Sequence, residues 1–219
     1  LIRYSHENKI KKFVFLGSSC IYPKYSKQPI KEKYLLSDYL EPTNEWYAIA
    51  KISGVKLIES LRKKHQRDYI SLMPTNLYGS NDNFDFNSSH VIPGMIAKFH
   101  QAKIRNSNYI TLWGDGTPLR EFLHVDDLAN AILFSIENSF SESLFNVGSG
   151  EEIAIKDLAK IIKKIVGFKG GINWDKSMPN GTPRKLLDST KFKNLGWKQK
   201  ISLENGIDFT YKWYVDNLS

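Results

Sequence analysis

Tyr47 and Lys51 stand four positions apart in the stretch Tyr47-Ala48-Ile49-Ala50-Lys51. On a helix that spacing puts both side chains on one face, one turn apart, so an ammonium lies beside a phenol. The pair is suited to proton transfer: a free phenol titrates at about 10, and a neighbouring cation favours its ionised form. In a chain with 11 tyrosines chance also supplies such a spacing, so the pair takes its meaning from its neighbours. Upstream, Gly17-Ser18-Ser19-Cys20-Ile21-Tyr22-Pro23 follows an apolar run. Extended geometry carried through this stretch puts Ser18 and Cys20 on one side and Ser19 on the other, a hydroxyl and a thiol on one pocket wall. Small residues chosen for close packing at a strand end are the plainer alternative. Near the other end, Asn180-Gly181-Thr182-Pro183-Arg184-Lys185 reads as a turn presenting two adjacent cations, chemistry that suits phosphate or simply a solvated turn. On spacing alone His90, at a helix start, reads as a structural hydrogen-bonder.

The elements that must position these residues alternate between strand and helix. Leu1 to Glu7 reads as the tail of a helix and Phe13-Val14-Phe15-Leu16 as a short buried strand. The chain does not begin with Met, and opening on a helix tail it reads as cut from something longer. Lys24 to Asn44 is polar and turn-rich, a surface loop without obvious chemistry. A helix from about Glu45 to His65 follows, with Ala50, Gly54, Ile58 and Leu61 in one stripe and Ile49, Ile52 and Val55 outside it. Apolar residues on more than one side imply cover on two sides, by its own sheet and by the second subunit of a homodimer, or else burial as a central helix. Tyr69 to Met73 is the next strand, closed by Pro74-Thr75-Asn76-Leu77-Tyr78-Gly79. Ligands in open α/β sheets lie beyond the carboxyl ends of strands, so this loop and Gly17 to Cys20 are expected to face one crevice. A helix from His90 to about Ala102, a strand at Ile110 to Trp113 with a Gly114 to Pro118 turn, a helix capped by Asp126 or Asp127 and bearing Leu128, Ala131, Ile132, Ser135 and Ile136, a strand at Leu144 to Val147 and a helix bearing Ile155, Leu158, Ile161, Ile162 and Ile165 complete the pattern. Strand–helix alternation predicts an α/β fold with a parallel sheet.

Composition narrows the classes. At 219 residues and 41% apolar the chain can bury a core of one domain or one and a half. No run of 18 apolar residues and no leader pattern occurs, which predicts no membrane partner. A single cysteine, Cys20, allows no internal disulfide and fits a reducing, cytoplasmic compartment. With five scattered His there is no zinc spacing, and no metal is expected. The net charge of +8 is spread through the chain rather than gathered into a stripe, so no nucleic-acid partner is expected and the positive field suits small anions such as nucleotide diphosphates.

Taken together, GSSCIYP, EPTNEWYAIAK, MPTNLYG, SHVIP, WGDGTPLREFLHVDD, FNVGSG and NGTPRKLLD resemble the GDP-L-fucose synthases of the extended short-chain dehydrogenase/reductase family, over essentially the whole chain. Tyr-x-x-x-Lys is generic to that superfamily, whereas SSCIYP with SHVIP is specific to this branch. The resemblance implies a Rossmann-like parallel sheet with a smaller C-terminal substrate-binding α/β subdomain. Residues 1–80 would supply the C-terminal half of the NADP-binding domain, and 81–219 mainly the nucleotide-sugar region, with about 120–150 returning to the first. It implies a GDP-sugar substrate, a 4-keto-6-deoxy-mannose epimerised at C3 and C5 and reduced at C4, with NADP(H) as cofactor. Both epimerised carbons flank the ketone, so Ser18 and Tyr47 would stabilise one enolate for both exchanges. Tyr47 would then protonate the C4 oxygen, Lys51 would hold the nicotinamide ribose and keep Tyr47 acidic, and Cys20 and His90 would exchange protons on the ring. Leu16, Gly17, Ser18, Ser19, Lys51, Pro74, Thr75, Asn76, Leu77 and His90 would lie along NADP(H). Lys98, Trp113, Arg120, Asn180 and Lys185 would contact the GDP-sugar. Lys98 stands where the family carries Arg, and Asn180 where it carries Asp; Lys cannot form the bidentate fork of Arg. The family's opening strand, Gly-x-x-Gly-x-x-Gly turn and helix have no counterpart in the sequence, a difference on the order of 90 residues at about 30 per βαβ unit. A nucleotide-sugar-binding fragment without catalysis is the second reading.

Overall fold

A computed structural model describes residues 1–218. In chain order its elements are α1 (Ile2–Glu7), β1 (Lys12–Leu16), α2 (Glu45–His65), β2 (Asp68–Pro74), β3 (Asn76–Tyr78), α3 (Val91–Ile104), β4 (Tyr109–Trp113), β5 (Leu119–His124), α4 (Val125–Glu137), β6 (Leu144–Val147), β7 (Glu152–Ala154), α5 (Ile155–Val166), β8 (Gly171–Asp175), β9 (Arg184–Lys185), α6 (Thr190–Asn194) and α7 (Leu203–Leu218). The α/β class and the parallel pairing expected from the alternation are what the chain adopts. β1, β2 and β6 form a parallel sheet in that order, with Val14 opposite Ile70 and Leu72 opposite Phe145. Among the described residues β1 pairs only with β2, so its other edge is open.

A second sheet is built around β5, which runs parallel to β3 and β9 and antiparallel to β7. β4 and β8 form a separate parallel pair. Pro74 ends β2 because it has no N–H to continue the ladder, and the chain crosses to β5 through Thr75 and Asn76, whose side chains both donate to Glu121 O. One apolar cluster lies between α3, α5, α7 and the strands facing them, with Ile96, Phe99, Leu158, Ile162 and Ile207 fully buried. Another, between the first sheet, α4 and α6, is filled by Leu72, Ala131, Phe145, Val147 and Phe192.

α2 lies tight against β1. A Cβ added at Gly54 would stand 2.3 Å from the Phe15 ring, so any larger residue would force that ring to move. The buried stripe of α2 is Ala48, Ile52, Val55, Ile58 and Leu61. The expected stripe shared only its last two residues, since Ala50 is exposed and Gly54 is half-buried; an apolar surround does not say which face the sheet will take. Trp46, Ile49 and Ala50 face outward, Trp46 at 80% exposure. The cap of α4 also differs from expectation. His124 is the N-cap, its Nδ1 accepting from Asp126 N–H. Asp127 is fully buried and instead accepts from Lys200 and Ile201 N–H, tying the approach to α7 onto α4.

The loop from Lys24 to Asn44 is less superficial than its composition suggests. Ile30 is buried, bridges to Leu187 and gives its carbonyl to Asn146, whose amide oxygen in turn accepts from the buried Tyr22 hydroxyl. Arg184 and Lys185, expected on a turn, form the short strand β9 beside Leu119 and Arg120.

Candidate active site

The carboxyl ends of β1 and β2 open onto a cavity of about 540 Å³ lined by Gly17 to Cys20, Asn44, Tyr47, Pro74 to Leu77, His90 to Ile92, Arg120 and Phe122. The two loops expected to face one crevice do so. Strand alternation does not bring Ser18 and Cys20 there, however. Ser18 is the N-cap of a single 3₁₀ turn, Ser19–Ile21, and its Oγ accepts from Cys20 N–H at 3.1 Å. The turn puts all of Ser18, Ser19 and Cys20 on the cavity wall, where extended chain would have sent Ser19 away.

Tyr47 projects from the first turns of α2 into the same space, half exposed. Lys51, one turn later, donates to Leu16 O at 2.8 Å and stands 5.7 Å from the centre of the Tyr47 ring and 5.3 Å from that of Phe15. Lys51 and Leu16 therefore border the cavity rather than line it. His90 is the exposed N-cap of α3, and its side chain makes no cap bond. It lines the cavity together with Cys20 and Tyr47.

A second cavity, of about 310 Å³, adjoins the first and shares His90, Val91 and Arg120 with it. Its walls include Phe86, Lys98, Trp113, Gly116, Arg120 and Asn180. Lys98 Nζ stands 5.5 Å from the centre of the Trp113 ring, and both face open space. Asn180 lies on the rim with its amide oxygen committed to Asp115 N–H at 2.9 Å, which fixes the Gly114 to Pro118 turn. Of the residues assigned by resemblance, Ser18, Cys20, Tyr47 and His90 meet at one cavity, and Lys98, Trp113, Arg120 and Asn180 at the next. Lys185 lines neither; its ammonium donates to Cys20 Sγ at 3.2 Å.

Two further residues escaped sequence reasoning. Asn44, at the end of a loop read as inert, lines the cavity, and its side chain helps to lower the Cys20 thiol. Glu121 is fully buried behind Arg120, its Oε1 accepting from Gly150 N–H at 2.7 Å and its Oε2 from Leu187 N–H at 3.0 Å. Burial pushes its carboxyl above the ordinary range, against the pull of those two N–H groups, Thr75 and Lys193. A buried Glu in a strand beside Arg is the only signal the sequence offers for it. For Cys20, burial pushes the thiol up, but the Lys185 ammonium, aided by hydrogen bonds from Ser18, Lys185 and Asn44, outweighs it and the net direction is down. Among the described residues no group of three or more metal-ligating side chains converges, and no helix is long and apolar enough to cross a membrane.

Residues 1–148 match the family described as NAD dependent epimerase/dehydratase. The chain is 52% identical, over all of its length, to GDP-L-fucose synthase 1 of Arabidopsis thaliana and covers 68% of that protein. It is 50% identical to GDP-L-fucose synthase of Escherichia coli over 99% of its length, covering 70% of that protein. Across such relatives the chain spans about two thirds of their length, from 64% to 70%. Among solved structures, a GDP-L-fucose synthetase from Naegleria fowleri bound to NADP superposes with a TM-score of 0.92 at 28% identity, over 99% of this chain and 70% of that one.

Proposed function

We propose a reading that proceeds from one premise: this chain belongs to the NAD dependent epimerase/dehydratase family and, within it, to the GDP-L-fucose synthases. It carries the chemistry that converts GDP-4-keto-6-deoxy-D-mannose to GDP-L-fucose, by epimerisation at C3 and C5 and reduction at C4. One observation carries the reading. Ser18, Cys20, Tyr47 and His90 line a single cavity that shares Arg120 and His90 with the cavity beside Trp113.

The hydrogens on C3 and C5 are acidic because both carbons flank the C4 ketone. Removing either builds negative charge on the C4 oxygen, and the Ser18 and Tyr47 hydroxyls are the donors available for it. Cys20 and His90 come from separate elements, the turn after β1 and the start of α3, so they can exchange protons on the ring from different directions. After inversion, Tyr47 gives its proton to the C4 oxygen. Lys51, anchored to Leu16 O, stands between Tyr47 and the β1 loop. Trp113, Lys98 and Arg120 offer an aromatic face and two cations for the GDP moiety, with Asn180 holding the turn beside them.

The donor set also bears on the cofactor. Ser18, Ser19, Thr75 and Asn76 supply neutral hydrogen-bonding groups and Lys51 one cation, a set that suits a nicotinamide and its ribose. NADPH, when bound, supplies the hydride that reduces C4. The residues from Leu16 to Ser19, Pro74 to Leu77, Lys51 and His90 would hold that end of it. Residues 1–80 then belong to the cofactor-binding domain and 81–219 mainly to the sugar-nucleotide region, with 120–150 returning to the first. The outward face of α2, with Trp46, Ile49 and Ala50 exposed, is the surface through which two copies pair. The single unpaired cysteine suits a reducing cytoplasm.

The test is incubation with GDP-4-keto-6-deoxy-D-mannose and NADPH in deuterated water. The expected product is GDP-L-fucose carrying solvent deuterium at C3 and C5, read by mass spectrometry and NMR. A C4-reduced product without deuterium at either carbon sinks the epimerase half of the reading.

A further inference from the structure

Lys185 reaches the catalytic cavity from behind. β9 places it opposite Arg120 on β5, and the residues that follow are pinned on two sides. Leu186 N–H donates to Gln28 Oε1 at 2.9 Å, Leu187 N–H to Glu121 Oε2 at 3.0 Å, and Asp188 N–H to Ile30 O at 2.8 Å. A long, rotamer-rich side chain on a free turn would wander; this one springs from a backbone held by a buried carboxylate and by the Lys24 to Asn44 loop. Its ammonium ends 3.2 Å from Cys20 Sγ. The Ser18 hydroxyl, whose oxygen accepts from Cys20 N–H, and the Asn44 amide favour the ionised sulfur in the same direction as the ammonium.

We propose that Lys185 is a positioning residue that holds Cys20 as a thiolate, and that it acts on the reaction through this sulfur rather than by gripping the GDP-sugar. The inference deepens the epimerase reading and rests on it for its catalytic meaning, but the state of the sulfur is a property of the chain by itself. A thiol that must take a proton from carbon is useful only when already deprotonated, and the thiolate is the reactive form. Of the other titratable or charged groups around the cavity, Tyr47, His90 and Arg120 line it, from α2, the start of α3 and β5. Lys185 is the cation in direct contact with the sulfur. The direction of the thiol's titration, downward against burial, agrees with this geometry.

Cys20 is the only cysteine, so alkylation reports on it alone. The rate of reaction of the 219-residue chain with iodoacetamide is measured from pH 5 to 10 by intact mass, for the native and urea-unfolded protein and for Lys185→Met and Lys185→Arg. The native midpoint is expected below the unfolded one. Removing a contacting opposite charge moves a pKa by about one pH unit or more, so Lys185→Met is expected to react about tenfold more slowly at pH 7, while Lys185→Arg keeps the low midpoint. A native midpoint no lower than the unfolded one overturns the proposal without any variant; so does a folded Lys185→Met whose profile superimposes on the wild type. In the deuterium-exchange assay Lys185→Met is expected to lower kcat and shift its pH profile upward with little change in KM, whereas a raised KM at constant kcat identifies a substrate-gripping lysine and overturns the proposal. A low thiol midpoint with no exchange into any substrate leaves the lysine's action on the sulfur standing and removes the epimerase reading alone.

Discussion

Replacing Glu121 with Ala tests whether the catalytic cavity is held from behind by one buried carboxylate. The side chain is fully buried and accepts two backbone N–H groups from segments far apart in sequence, Gly150 and Leu187. Alanine leaves both donors without a partner, and each unsatisfied buried group costs about 1–3 kcal/mol. Part of this is offset, because burial raises the Glu121 carboxyl and its ionised form is held at a cost. A net loss of about 3 kcal/mol results, which in a chain of this size lowers Tm by roughly 6–12 °C. Thermal melts followed by circular dichroism at pH 7 measure it. The sign of the pH dependence is set by the upward shift. The carboxyl's stabilising contribution is complete below its ordinary value of 4.5 and is lost as pH rises through the higher folded value. Glu121→Gln cannot ionise, so the Tm difference between wild type and Gln should move in the Gln variant's favour as pH rises from 4 to 7. A Tm drop below about 2 °C for Glu121→Ala would refute the reasoning, since two buried donors cannot be orphaned so cheaply.

The other expectations concern the site and its surface. Tyr47→Phe should lower NADPH oxidation with the keto sugar by at least about 100-fold while the melt stays unchanged, because the phenol is half exposed and little volume is lost; near-normal oxidation removes Tyr47 as the proton donor. Cys20→Ser should abolish most deuterium incorporation at C3 and C5 yet leave the ketone reducible, and unchanged incorporation at both carbons takes Cys20 out of the mechanism. Ile49→Glu puts a charge on the outward face of α2, where Ile49 is exposed, and should convert a dimer to a monomer in light scattering after gel filtration; a dimer that survives this change pairs through another surface.

What was legible in the sequence had either length or a strong local pattern. α2 runs from Glu45 to His65 as its composition implied, and β6 is the four-residue run Leu144 to Val147, apolar but for Asn146. β3, β7 and β9 are three, three and two residues long, too short for a period of two to show against a loop. β9 has no identity of its own, since it is a strand only because Leu119 and Arg120 lie beside it. The Ser18–Ser19–Cys20 stretch failed in a more instructive way. Alternation was the correct rule for β1, but Ser18, two residues past the strand's end, captures Cys20 N–H with its own hydroxyl and turns the chain into a 3₁₀ coil. The residues reached the same cavity by a different local geometry. Asn44 and Lys185 act on the Cys20 thiol, the second in direct contact, from sites 24 and 165 residues away in sequence, and no pattern near Cys20 announces either one.

β5 shows why such long-range placements are mutually dependent. Its alternation sends Arg120 and Phe122 toward the cavity and Glu121 and Leu123 away from it. Arg120 thereby faces the junction of the two cavities, while Glu121, on the opposite face, fastens Leu187 and so fixes the segment that delivers Lys185 to Cys20. Its own carbonyl accepts from Thr75 and Asn76, which sit in the loop on the cavity's other wall. One strand therefore sets the position of Arg120 at the cavity junction, the thiol-facing Lys185 and the Pro74 to Leu77 loop together. A register slip of one residue in β5 would exchange Arg120 for Glu121 at the junction of the cavities and place a carboxylate where diphosphate is expected. The buried Glu beside a half-buried Arg is thus a register lock as well as a tether, which gives a fully buried Glu121 a structural role.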